Sequence, residues 1–212
     1  PGYQVTFALM LTSAIITCTL TTRLKDHAKM SAQAAFRTKI LFDTNQLLQR
    51  AKSEEEILSQ TASQLMKLLN RSLIVYPEQN GDLGSEQVFE IDGEVPCNIF
   101  SAPKERDAAN WTFANKKRSG AGTDSYPDAK GLYLALRTGG GVFGVIGIDL
   151  SEKPLDAFEN SVLLSILGEG ALAIENRRNA LEKEQAALQA RNEELRANLL
   201  RTISHDLRTP LT

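Results

Sequence analysis

Leu132-Tyr133-Leu134-Ala135-Leu136-Arg137-Thr138-Gly139-Gly140-Gly141-Val142-Phe143-Gly144-Val145-Ile146-Gly147-Ile148 is two apolar runs of strand length held apart by a glycine triplet. Both runs are apolar and the second is rich in β-branched residues, so they read as strands 132–136 and 142–148 of one hairpin,. The triplet is not a phosphate loop: neither Lys-Ser nor Lys-Thr follows it, and the next segment is strand, not helix. Upstream, Asn80-Gly81 is a second hairpin signal, between a strand at 72–76 and a returning strand begun by Val88, Phe89, Glu90, Ile91, Asp92 and Gly93. Ser53 with Glu56 three residues on is a capping box. It opens a helix with the stripe Ile57, Leu58, Leu65, Met66, Leu68 and Leu69, which should end near Asn70. Between the hairpins, 96–103 reads as loop and 104–117 as a helix bearing Ala108, Trp111, Phe113 and Ala114. Ser119-Gly120-Ala121-Gly122 should end that helix, and Trp111 is expected to anchor the core. Downstream, Leu155, Phe158, Val162, Leu163, Ile166, Leu167, Leu172 and Ile174 mark a closing helix, with Gly168 and Gly170 as soft points. Hairpin-joined strands framed by helices give an α+β domain, an antiparallel sheet with helices on its faces.

This middle region holds no histidine. Asp82, Asp92, Glu94, Asp124 and Asp128 stand in turn-like contexts, where carboxylates act as caps and Asx turns. Cys18 and Cys97 lie far apart without metal-ligand or redox spacing,. With 24 basic against 26 acidic residues and no basic and aromatic interleaving, direct nucleic-acid binding is not expected,.

Residues 1–22 carry no charge and 5–20 are apolar apart from Thr and Ser. About 20 residues at 1.5 Å rise match a bilayer core of about 30 Å. Arg23, Lys25 and Lys29 follow at once and would hold that flank in the cytoplasm. Ala28, Ala32, Ala35, Phe36, Ile40, Leu41, Leu47 and Leu48 then continue a helical stripe, so the span is expected to run directly into a juxtamembrane helix. At the other end Ile174, Leu181, Leu188 and Leu195 recur every seven residues, with polar Arg178, Gln185 and Asn192 interleaved and Leu199 restoring the seam. Such a repeat implies a parallel coiled coil and hence a homodimer, its polar seam positions setting register at a cost in stability.

The last turns, Leu199-Leu200-Arg201-Thr202-Ile203-Ser204-His205-Asp206-Leu207-Arg208-Thr209-Pro210, put Leu199, Ile203 and Leu207 on one helical face and Ser204, His205 and Arg208 on the other,. A neutral imidazole there offers a free lone pair for nucleophilic attack, Asp206 is a candidate acceptor for its other nitrogen, and Thr209 lies one turn along. Ser204-His205-Asp206-Leu207-Arg208-Thr209-Pro210-Leu211 resembles the H-box of two-component sensor histidine kinases. The resemblance implies that His205 is the phosphoacceptor, Asp206 the base, and Thr209 the residue of the phosphatase step. Glu105-Arg106, Ala109-Asn110-Trp111-Thr112-Phe113, Gly120-Ala121-Gly122-Thr123-Asp124, Leu132-Tyr133-Leu134-Ala135-Leu136-Arg137 and Gly144-Val145-Ile146-Gly147 resemble the GAF region of potassium-responsive sensor kinases of the KdpD type. The Cys-His pair of bilin-binding GAF relatives is missing, because Asn follows Cys97, and so is the Asn-Lys-Phe-Asp-Glu pattern of cyclic-nucleotide-binding ones.

The resemblance implies a transmembrane helix at 1–22, a juxtamembrane helix at 23–52, a GAF-type sensory domain at 53–171, a coiled-coil signalling helix at 172–198 and the start of a phosphoacceptor domain at 199–212. It further implies a protein-histidine kinase of the bacterial inner membrane with its GAF-type and phosphoacceptor parts cytoplasmic. Its partners would be a second copy and a cognate response regulator, and ATP and Mg²⁺ would enter through a further C-terminal domain. A chain that opens at Pro1 and ends at Thr212, inside the motif, is expected to be a piece of a longer protein, inactive alone. The rival reading makes the middle domain a small-molecule-binding regulatory module. A polar, concave cavity would favour it, and a space filled by Trp111, Phe113 and Leu134 would count against it.

Overall fold

The computed structural model describes residues 2–91 and 98–208, with the side chains of these except 4–9, 11, 12, 26, 98 and 202–208. The chain forms two compact units, Pro1–Gln46 and Leu47–Thr212. The first lies within helix α1 (Gly2–Arg50), which is unbroken across the stretches assigned above to a span and a juxtamembrane helix. Its threonines do not interrupt it, because their hydroxyls donate back to the preceding turn: Thr17 to the Ser13 carbonyl at 2.8 Å, Thr19 to Ile15 at 2.9 Å and Thr22 to Cys18 at 2.9 Å,. Ile15, Ile16 and Leu20 are exposed.

The second unit is a three-layer α+β domain. Helix α2 (Glu54–Leu69) makes the first bond of the capping box, the Glu56 amide donating to Ser53 Oγ at 3.1 Å, while Glu56 Oε2 reaches one residue further back and accepts from the Lys52 amide at 2.7 Å,. It stops at Asn70, whose left-handed φ of 50° turns the chain,. Strand β1 (Leu73–Gln79) follows, and Asn80-Gly81, with φ of 54° and 90°, makes the tight turn the sequence signalled,. The returning strand differs from expectation. It is split into β2 (Asp82–Leu83) and β3 (Gln87–Phe89), both antiparallel to β1, so Glu90 and Ile91 lie outside it, and Asp92 and Gly93 lie outside the described residues.

Helix α3 (Pro103–Asn115) ends two residues earlier than expected, because Lys116 adopts a left-handed cap. Ser119-Gly120 is then not a loop but strand β4, paired with β5 (Gly131–Arg137). Strands β5 and β6 (Val142–Asp149) form the glycine-turned hairpin. The sheet order is β2-β1-β6-β5-β4, with β3 also on β1. Leu73 to Tyr76 and Phe143 to Ile148 are buried without alternation because both faces of the sheet are covered,.

Helix α4 (Ala157–Arg208) closes the domain. Gly170 is not a soft point there: a Cβ would lie 2.7 Å from Thr61 Oγ1, so the glycine permits close packing of α4 on α2. Among the described residues one helix, Ala157–Arg201, is long and apolar enough to cross a membrane by length and composition. Its apolar residues Val162, Leu163, Ile166, Leu167 and Ile174 are core, which accounts for that composition.

Candidate functional site

His205 and Asp206 lie within α4, close to its end at Arg208. Their side chains, and all of Thr209, fall outside the described residues. The structure supplies the support on which they are mounted. One 52-residue helix is domain core at Val162, Leu163, Ile166, Leu167 and Ile174 and carries His205 and Asp206 near its far end. From Ile174 to His205 the rise is about 46 Å. No loop intervenes that could absorb a rotation or a shift of the helix.

The point where α4 leaves the domain is held by side chains that periodicity assigned differently. Arg178, read above as a polar seam position, forks onto Glu54 at 2.8 and 2.9 Å and reaches Glu78 at 2.9 Å. Its guanidinium lies 5.1 Å from the Phe143 ring centroid,. Arg177 donates to the Lys52 carbonyl at 2.8 Å, and Glu175 accepts from Thr138 at 2.8 Å. The Gly81 amide, assisted by Arg178 and opposed by desolvation, holds the Glu78 carboxyl below the usual carboxylate range,. The hydrogen bond to Glu54 outweighs desolvation and raises Arg178 above its ordinary range,. The entry segment at Lys52 and Glu54, the β1–β2 hairpin and the exit helix thus meet in one polar cluster. Ile174, the first residue of the heptad series, is fully buried, so the exposed part of that series begins at Leu181.

Beneath α3 the sheet face is filled. Ile74, Tyr76, Leu83, Phe100, Tyr133 and Val145 pack with Ala108, Ala109 and Ala129, and Phe113 closes against them. Tyr133 accommodates its ring over Gly147, and its hydroxyl donates to Glu105 Oε2 at 2.8 Å. Glu105, 3% exposed, also accepts from the Lys130 amide at 2.8 Å and the Gly131 amide at 3.2 Å. Burial, reinforced by Glu105, pushes the Tyr133 phenol well above its ordinary range; Tyr76 is pushed up to about 12, mainly by burial. This cluster escaped the sequence reading. The available signal was a carboxylate in register with Ala108, Ala109 and Thr112, the buried face of α3.

Trp111 and Leu134 are elsewhere. Trp111 is half-buried and with Leu134 lines a separate groove of about 1030 Å³ at the β5 edge of the sheet, so the expected core anchor is a groove wall. Of the three residues named for filling a pocket, only Phe113 packs beneath α3. Among the described residues no cluster of metal-ligating side chains occurs.

No family model matches the chain. The sensor protein KdpD of Clostridium acetobutylicum is 34% identical over 211 residues, covering 99% of this chain. The sensor protein KdpD of Escherichia coli is 29% identical over 214 residues, again covering 99% of this chain. The chain spans 23% of the length of each. Among solved structures, the GAF domain of the Escherichia coli potassium sensor histidine kinase KdpD superposes with a TM-score of 0.51 at 22% identity, covering 71% of this chain and 99% of that one. The sheet order and the closing helix α4 are therefore those of a GAF fold, and over nearly its whole length this chain is similar in sequence to KdpD sensor proteins.

Proposed function

We propose that the chain is the sensory and phosphoacceptor portion of a membrane-bound, homodimeric sensor histidine kinase that controls potassium uptake. Residues 1–22 span the bacterial inner membrane, and the positive flank at Arg23, Lys25 and Lys29 keeps the GAF domain and the H-box in the cytoplasm. His205 attacks the γ-phosphate of ATP: a nitrogen–phosphorus bond forms as the bond to ADP breaks, and Asp206 takes the proton from the other ring nitrogen. The phosphoryl group then passes to a carboxylate of the response regulator, regenerating the imidazole. Thr209 serves the reverse, hydrolytic reaction. ATP and Mg²⁺ are supplied by a C-terminal catalytic domain, so residues 1–212 alone do not label themselves.

The observation that carries this reading is the continuity of α4 from the domain core to the H-box string, in a chain similar to KdpD sensor proteins over 99% of its length. The test is transfer of radiolabel from ATP to variants of the intact protein, followed by decay of the phosphorylated regulator. His205→Ala should abolish labelling. Asp206→Asn should slow it by about 10² to 10⁴, the usual contribution of a positioned base. Thr209→Ala should label normally and dephosphorylate the regulator poorly. Normal labelling of His205→Ala would overturn the assignment.

A further inference from the structure

The groove at the β5 edge is lined by four cationic side chains and one carboxylate. It exists because β4 is only two residues long. Ser119 pairs with Tyr133, but Lys116 caps α3 just before it, so the chain turns away and leaves β5 unpaired beyond Tyr133. The Gly131 carbonyl accepts from Ala121 on this side. By strand alternation the Ala135 amide and carbonyl face the same way, and among the described residues no strand lies opposite them,.

The floor is apolar, formed by Leu134, Leu164 and Leu167, with Trp111 as one wall. Leu164 is 52% exposed there, a large apolar side chain open to solvent. Around this floor stand Lys116, Lys117, Arg118 and Arg137, against the single carboxylate of Asp124. Among the described residues none of the four cations makes an ion pair, although the chain as a whole has net charge −2. At about 1030 Å³ the space is at the upper end of small-molecule sites, typically about 300–1,000 Å³, and far larger than an inorganic anion needs,.

We propose that this groove binds an organic phosphate of nucleotide build, a flat ring system joined to a phosphate. The ring would lie on the leucine floor beside the Trp111 indole, and the unpaired Ala135 peptide would offer it one donor and one acceptor. The phosphate would meet Arg118 and Arg137, whose planar forks match its oxygens. A multiply charged anion suits four cations better than a single carboxylate does. The site lies at the sheet edge, outside the packed face under α3, and stands independently of the phosphoacceptor reading.

Trp111 is the sole tryptophan of the chain, so its emission reports on this groove alone. The 212-residue chain, held in nanodiscs of zwitterionic lipid, is titrated with AMP, with adenosine and with inorganic phosphate. AMP should change Trp111 emission saturably, and more weakly as salt is raised, since screening shortens from about 10 Å at 0.1 M to about 3 Å at 1 M. Adenosine and phosphate should each bind at least about tenfold more weakly, as should AMP to the Arg118→Gln/Arg137→Gln double variant, each lost charged hydrogen bond being worth about 1.5–3 kcal/mol. Leu164→Glu should abolish the response by placing a carboxylate on the floor, while Lys67→Gln, at an exposed position of α2, should leave it unchanged. A linear response to AMP, equal affinity for adenosine or phosphate, or undiminished AMP binding in the double variant would each overturn the proposal.

Discussion

Replacing Glu105 with Ala tests whether the packed face under α3 depends on its one buried carboxylate. Three donors converge on that group: the Lys130 amide at 2.8 Å, the Gly131 amide at 3.2 Å and the Tyr133 hydroxyl at 2.8 Å. Lys130 is exposed, so water can replace the carboxylate at its amide, whereas Gly131 and Tyr133 are buried. Two stranded buried donors at about 1–3 kcal/mol each give a loss of about 2–6 kcal/mol. For a unit of this size that corresponds to a fall in Tm of about 4–24 °C. Tyr133→Phe should cost less, about 1–2 kcal/mol, because the carboxylate keeps its two amide donors. The informative quantity is the coupling. Once Glu105 is gone the Tyr133 hydroxyl has no acceptor, so adding Tyr133→Phe to Glu105→Ala should cost nothing or recover some stability. Urea unfolding followed by far-ultraviolet circular dichroism gives all three values. A loss below about 1 kcal/mol for Glu105→Ala, or strict additivity of the pair, would refute the idea that this cluster closes the face.

Gly168 and Gly170 should respond to alanine with opposite sign: Gly168 has open space around its missing Cβ, so Gly168→Ala should stabilise by about 0.5–1 kcal/mol,. Gly170→Ala drives a methyl against Thr61 and should destabilise by about 1–3 kcal/mol in the same urea assay, equal shifts at the two positions counting against the close packing of α2 on α4,. Because the Tyr133 phenol is raised by folding, its contribution is complete below the unfolded value of about 10 and is lost as pH rises through the folded one,. The wild type should therefore lose stability in alkali more steeply than Tyr133→Phe, and parallel profiles would show that the phenol is not shielded. Gln185→Leu with Asn192→Leu should tighten association of the intact chain in sedimentation, since both replace polar residues interleaved with the exposed leucines; an unchanged monomer would defeat the coiled-coil reading.

The elements that were readable in advance are those whose causes are local. The Ser53 and Glu56 capping box, the Asn80-Gly81 turn and the apolar runs of β5 and β6 each carry their reason within a few residues, and each stands where its pattern placed it. What escaped depends on distant partners. Gly170 looks like any helix-weakening glycine until Thr61 is brought against it from α2. Glu105 looks like a first-turn helix carboxylate until the β4–β5 connection folds back to place the Gly131 amide and Tyr133 beside it. Strand β4 was missed because two residues, one of them glycine, have no periodicity to detect,. For the H-box the position is reversed. Its proposed chemistry rests on the string itself, and the structure contributes only the helix on which His205 and Asp206 lie.

That helix joins the two halves of the reading through its phase. A seven-residue step returns an α-helix to within about 20° of the same face, so Ile174, Leu181, Leu188 and Leu195 lie on one slowly drifting stripe. At Ile174 the stripe is fully buried within its own domain, while at Leu181, Leu188 and Leu195 it is 39%, 57% and 54% exposed. Domain packing therefore gives way to a bare apolar seam within one heptad, about 10 Å of helix. Arg177 and Arg178 lie inside that heptad, tied to Lys52, Glu54 and Glu78. On the proposed reading a partner helix covers the seam from Leu181 onward, approaching from the side the domain already occupies at Ile174. The polar cluster then marks the boundary between the two packings, and it is bonded to the segment through which α1 enters the domain. A shift of Lys52 and Glu54 would pull on the first residues below the core, and the rigid helix would deliver that displacement to His205 without loss in a hinge.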